Sequence, residues 1–179
     1  ALFVGVSTGY WWGMPRRLWG LNLALWHVFV PLCGRLMGYF PARRFGLGES
    51  LPIGVAQEWG DWCLEPDYLA AYIDEGGRRQ PRDGRPFGPQ HFADARFPIR
   101  ALYFKDDNIA TAKNVPPLLA LYRESRHEVL WYGPDDFGGG AIGHLGFFRK
   151  EHAAQWAEHL AWLEEQAHRL TASELPTHD

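Results

Sequence analysis

Two acids and one histidine in the second half of the chain carry most of the chemistry this sequence offers. Asp106 and Asp107 directly follow Lys105, at the end of the apolar run Ile99–Phe104 (IRALYF). His144 lies in the string Gly143-His144-Leu145-Gly146, downstream of a second β-rich run, His127–Tyr132 (HEVLWY). An acid after one strand and a histidine after the next can form the second half of a nucleophile–acid–base relay. The acid orients the imidazole and stabilises its protonated form. The imidazole takes a proton from the nucleophile and returns it to the leaving group. Gly143 and Gly146 free the backbone around the histidine.

A nucleophile is harder to find. Gly5-Val6-Ser7-Thr8-Gly9 spells G-x-S-x-G, the string of a strand-to-helix elbow that exposes a serine. Its surroundings argue against that use. Tyr10-Trp11-Trp12-Gly13-Met14-Pro15 starts a helix poorly. An elbow here would need a further sheet strand before residue 98 and an oxyanion donor from an earlier strand-loop, and neither is evident. Ser7 is therefore the lesser candidate for a nucleophile and is expected to line a pocket instead. Ser50, Ser125 and Ser173 have no supporting context. His27, His91, His127, His152, His159, His168 and His178 read as surface or packing residues. His152 and His159 stand seven apart without a third ligand, so no metal is expected. Two cysteines, Cys33 and Cys63, make neither a disulfide scaffold nor a zinc ribbon. No cofactor motif is present.

The elements that must position these groups follow from the apolar patterning. Residues 2–6 read as a buried strand ended by Ser7, Thr8 and Gly9. Residues 15–38 read as one or two helices, with Pro31 breaking or kinking the run. Residues 39–54 are rich in Gly and Pro and read as loop. Residues 55–75 read as two helical pieces, divided at Pro66. Residues 76–98 are polar and form the best linker. Strands at Ile99–Phe104 and His127–Tyr132 flank a helix that Asn114 can cap and that begins at Val115 with Pro116 and Pro117 in its first turn. A helix over 150–170 has Ala153, Trp156, Ala157, Leu160, Leu163, Ala167 and Leu170 at helical spacing. The order strand–helix–strand predicts an α/β fold with a parallel sheet. Such sheets place their ligands at the C-terminal strand ends. Three strands are few for a parallel sheet, which is normally larger and covered on both faces.

Composition bounds the function classes. A net charge of −3 argues against nucleic-acid binding. The first residues lack the basic segment and cleavage site of a signal peptide, and a cytoplasmic location is expected. The apolar stretch 18–40 is interrupted by Asn22, His27, Pro31 and Arg35. A buried or pocket-covering helix is favoured there over a membrane-spanning one, and membrane contact is not expected. An interfacial helix flanked by Arg16, Arg17 and Arg35 is the lesser alternative.

From Ser7-Thr8-Gly9-Tyr10-Trp11 through RLMGYFPARRFGLGESLP, ALYFKDDNIAT and AIGHLGFFR, residues 1–165 resemble the C-terminal part of bacterial α/β-hydrolases of the serine-hydrolase kind. The GYFP…GxGExLP and GHLGFF segments are the most specific. The resemblance implies an esterase-like or lipase-like fold with a helical cap. It assigns residues 1–9 to the sixth core strand and its end, 10–90 to the cap, 91–171 to the C-terminal part of the core and 172–179 to a tail. It favours Asp107 over Asp106 as the acid, because Asp107-Asn108-Ile109-Ala110-Thr111 fits the family's stretch after the acid. Thr111 departs from it, standing where proline is usual. It pairs that acid with His144 and puts the nucleophile upstream of Ala1, so that an N-terminal half of the same fold is the expected partner.

Of nine tryptophans, the six before residue 63 belong to the expected cap. Set over the strand ends, part of this aromatic set would wall a water-poor pocket. Ser7, Tyr10, Trp11, Trp12 and Leu145 are the expected substrate-lining residues, and a small apolar ester is the expected substrate. The alternative function is a non-catalytic relative that binds an apolar ligand or a partner.

Overall fold

A computed structural model describes residues 1–45, 48–73, 81, 84 and 91–174. Strand β1 (Leu2–Val4) opens the chain. A continuous helical run follows, made of α1 (Trp19–Ala24), a π-helical segment (Leu25–Phe29) and α2 (Val30–Met37). Strands β2 (Tyr39–Phe40) and β3 (Leu51–Pro52) pair antiparallel and lead into α3 (Ile53–Leu64) and α4 (Ala70–Ile73). Then come β4 (Ile99–Phe104), α5 (Val115–Leu119), β5 (His127–Tyr132) and α6 (Ala153–Glu174).

The chain is a mixed α/β protein whose core is a three-stranded parallel sheet, ordered β1-β4-β5. Leu2 lies opposite Arg100 and Val4 opposite Leu102. Ile99 lies opposite His127 and Phe104 opposite Tyr132. β4 reads as a continuous apolar run because both of its faces are covered. Ile99, Ala101 and Tyr103 pack with Val115 and Leu119 of α5. Leu102 and Phe104 point the other way, onto Phe137, Ile142 and Phe147. Arg100, at the start of this strand, is held by Glu128 at 2.9 and 3.0 Å and lies over the Trp162 ring.

Residues between β1 and β4 build a second core, with Trp26, Val30, Cys33, Phe40, Ala56 and Cys63 at its centre. Gly34 and Gly60 let this core close. A β-carbon on Gly60 would come within 2.8 Å of the Trp26 ring, and one on Gly34 within 2.7 Å of Ile53.

Several elements differ from the sequence expectation. Pro31 does not break the helix. A proline ring clashes with the carbonyl four residues back, and the wider π turn just before Pro31 lets the run continue. The segment 39–54 is not all loop, since Tyr39 and Phe40 pair with Pro52 and Leu51. β1 ends at Val4, two residues early. The packed stripe is His152, in the 3-10 turn just before α6, with Trp156 and His159 of α6, while Ala153, Ala157 and Leu160 face solvent. The ring nitrogens explain part of this. His152 Nδ1 donates to the Gly146 carbonyl at 2.7 Å, and Trp156 Nε1 donates to the Phe147 carbonyl at 2.7 Å, which fixes the helix rotation. α6 also runs past Thr171 to Glu174. Most of the linker reading falls on 76–80, 82–83 and 85–90, which lie outside the described residues, as does the tail 175–179.

Candidate active site

Asp107 and His144 meet at the C-terminal ends of the parallel strands. Asp107 leaves β4, and His144 arrives on the loop after β5. Their side chains join at 2.8 Å through Asp107 Oδ2 and His144 Nδ1. The Asp107 side chain is fully covered, whereas His144 is 34% exposed. A carboxylate accepts only, so Nδ1 carries a hydrogen, and in the neutral imidazole Nε2 is the nitrogen that keeps its lone pair. Among the described residues Nε2 has no hydrogen-bond partner.

The acid is held as firmly as it holds. Asp107 Oδ1 accepts from the Ile109 amide at 2.7 Å and the Ala110 amide at 3.0 Å. Three donors on one buried carboxylate fix its direction. Asp106, the alternative acid, does other work. Its Oδ2 accepts from the Ile142 amide at 2.8 Å and the Gly143 amide at 3.1 Å, tying down the loop that carries His144. Asp106 Oδ1 is buried with no partner among the described residues.

Sequence reading missed the residues that lock these loops together. Asn114 was expected to cap α5, yet its side chain makes no cap bond. It donates instead to the Tyr10 carbonyl at 3.1 Å and the Ile109 carbonyl at 3.0 Å. Its own carbonyl accepts from the Thr8 amide and hydroxyl. The Thr111 hydroxyl takes over at the helix start, accepting at 3.3 Å from the Lys113 and Asn114 amides and donating to the Gly13 carbonyl at 2.8 Å. Arg17 donates to Asn108 Oδ1 at 2.6 Å. The chain leaving β1 is thus tied to the loop bearing the acid. An asparagine before a proline pair reads as a cap in sequence, and nothing there signals a partner about a hundred residues away.

Ser7 is not set up as a nucleophile. Its hydroxyl donates to the Thr8 carbonyl at 3.1 Å. Tyr68 is the one non-glycine residue with positive φ among the described residues, so Ser7 lacks a strained elbow backbone. No helix starts directly behind it; the next element is the short 3-10 turn Trp11–Gly13.

An apolar cavity of about 460 Å³ lies between the cap and the acid loop. Its walls include Met14, Leu25, Trp26, Phe40 and Trp59 from the cap, and Ile109 from the core. Ile109 therefore donates its amide to Asp107 and lends its side chain to the cavity. Tyr10, Trp11 and Trp12, expected in the lining, do not contribute to this wall. They form a cluster in which Trp12 stacks on Trp19 at 4.0 Å and Trp11 meets both edge-on. Leu145 is exposed beside the histidine. Cys63 touches the cavity, but burial pushes its thiol well above the usual range, which makes it a packing residue. Burial, with Cys63 pushing the same way, raises the Tyr68 phenol to about 12, opposed by hydrogen bonds with Trp59 and Gly9. Among the described residues no group of His, Cys, Asp and Glu is arranged to hold a metal.

No protein-family model, curated protein or solved structure matches the chain. Fold and site define it as a mixed α/β protein with a buried aspartate paired to a half-exposed histidine at the ends of parallel strands.

Proposed function

We propose that this chain is the C-terminal part of an α/β-hydrolase-type serine hydrolase, which acts on apolar carboxylic esters. The single observation that carries the reading is the 2.8 Å Asp107–His144 pair, and an apolar cavity that reaches the acid loop at Ile109 supports it. In this reading His144 Nε2 takes the hydroxyl proton of a serine as its oxygen attacks the ester carbonyl. Asp107 stabilises the imidazolium, and Nε2 then returns the proton to the departing alkoxide as the C–O bond breaks. Water repeats the cycle and frees the acid. In this reading the serine lies outside these 179 residues, beside the edge of β1 that pairs with no strand among the described residues. An acyl or aryl group fills the cavity, whose size suits a small apolar ligand. A second reading, an apolar-ligand-binding protein without catalysis, draws on the same cavity, because binding there needs no nucleophile.

A fluorophosphonate probe separates these readings. The protein encoded by the complete reading frame is expected to label. The His144→Ala variant, checked for folding by circular dichroism, is expected not to label. Ser7→Ala is expected to label like the parent. Undiminished labelling of His144→Ala overturns the relay. A complete frame without a G-x-S-x-G roughly 20–30 residues before Ala1, one helix and its connections, favours ligand binding alone.

A further inference from the structure

The helical run Arg16–Met37 is apolar on two faces, and only one of them is used inside the protein. Trp26, Val30 and Cys33 point into the cap core. On the other side Leu21, Val28 and Leu36 are 67%, 60% and 74% exposed, with Phe29 and Leu32 between them. Their spacing puts them on one stripe along the helix. A soluble surface helix normally turns charged residues outward, and a contiguous exposed apolar stripe marks an interaction site.

Charge says what that site fits. The first 48 residues contain Arg16, Arg17, Arg35, Arg43 and Arg44 and not one Asp or Glu, although the whole chain is acidic at −3. All five arginines belong to this run or to the turn just after it. Arg16, Arg17 and Arg35, at its two ends, are exposed. A basic, acid-free segment with an apolar stripe is the composition of a helix that lies in the headgroup layer of an anionic bilayer. The run is long and apolar enough to cross a membrane by length and composition. Its inner face is packed against α3 and the β2–β3 pair, so crossing would dismantle the cap core, whereas lying flat would not.

We infer that the cap docks on anionic lipid surfaces through the outer face of Arg16–Met37, with Leu21, Val28, Leu32 and Leu36 entering the acyl boundary and the arginines meeting lipid phosphates. Leu21, Phe29 and Phe45 are exposed and also line the apolar cavity, so the cavity rim lies on the docking face. The docking stands whether or not the chain belongs to a hydrolase.

Co-sedimentation tests it with the protein encoded by the complete reading frame and two kinds of vesicle, phosphatidylcholine alone and phosphatidylcholine with phosphatidylserine. The chain is expected to pellet with the mixed vesicles and to be released by high salt. Leu32→Glu/Leu36→Glu is expected to abolish pelleting while keeping the parent's circular dichroism. Leu36→Gln, a milder change at the most exposed position, is expected to weaken it. Arg16→Gln/Arg35→Gln/Arg43→Gln is expected to weaken binding by about tenfold or more. Failure to pellet with either vesicle overturns the inference. So does pelleting that survives both leucine variants. Self-association in sedimentation velocity that Leu32→Glu/Leu36→Glu removes, without vesicle binding, assigns the face to a second copy of the chain and overturns it too.

Discussion

Gly5 packs directly against His144. A β-carbon on Gly5 would lie 3.2 Å from the His144 carbonyl oxygen and 3.5 Å from Nδ1, the nitrogen bound to Asp107. The residue also has φ of +63°, in the left-handed region, as β1 turns away from the sheet. Its amide still donates to the Leu102 carbonyl at 2.9 Å, so the turn is anchored to β4. Gly5→Ala is expected to cost about 1–2 kcal/mol from backbone strain alone and to displace the imidazole as well. Urea denaturation gives the first effect. The second is a movement of the His144 ring signals in NMR larger than that of His152. A variant as stable as the parent with unmoved His144 signals would contradict the packing.

The two neighbouring aspartates should fail in different ways. Asp107→Asn keeps a side-chain oxygen for the Ile109 and Ala110 amides but turns an NH₂ toward His144 Nδ1. The imidazole must then carry its hydrogen on Nε2, the wrong tautomer for a base. In a protein that supplies the nucleophile, kcat is expected to fall about 10³–10⁴-fold with little loss of stability. Asp106→Ala leaves the Ile142 and Gly143 amides without their acceptor, for a cost of about 1–3 kcal/mol. Hydrogen exchange at those two amides should quicken in Asp106→Ala and stay slow in Asp107→Asn. Identical exchange in the two variants would remove the division of labour.

Much of this site was legible because its parts announce themselves locally. β4 and β5 begin and end where their β-rich apolar runs do, and α5 starts at Val115 as its two prolines require. Asp107 and His144 stand at the ends of those runs, so topology alone brings them together. The rest depends on distant partners. Asn114 serves residues from 8 to 109, Gly5 packs under a histidine 139 positions on, and the rotation of α6 is set by carbonyls in the turn before it. Hydrophobic periodicity cannot register a hydrogen bond to a remote backbone. Nor can it register how the aromatic set divides: Tyr10 and Trp11 meet edge-on, Trp12 stacks on Trp19, and the cavity takes its aromatic wall from residues further along the chain.

Glycine substitutions give a test of the link between the cap and the acid loop. A β-carbon on Gly13 would fall 1.7 Å from Asn114 Oδ1, a contact that cannot be made. Gly13→Ala must push Asn114 off the Tyr10 and Ile109 carbonyls, and about 3 kcal/mol of destabilisation is expected. Gly20, in α1, has nothing within 4 Å of its β-carbon position. Gly20→Ala is expected to stabilise by about 0.5–1 kcal/mol through helix propensity. Thermal melts of the two variants should move in opposite directions. Equal shifts would mean that Asn114 is not the latch.

His159 makes the fold acid-sensitive. Its ring lies between Tyr132 and Phe147, and its Nδ1 is buried with no partner among the described residues. Burial lowers its pKa below the ordinary 6.5, and Arg100 pushes the same way against Glu158 and Glu128. The unfolded chain then binds a proton at higher pH than the folded one does. The stability held by the neutral ring is complete above pH 6.5 and is lost as pH falls below it. His159→Leu removes the titrating group while keeping an apolar side chain in the Tyr132–Phe147 contact. Denaturant midpoints at pH 7.5 and pH 5.5 should differ less in this variant than in the parent, with the gap closing on the acid side. An unchanged pH dependence would assign the acid sensitivity to another group.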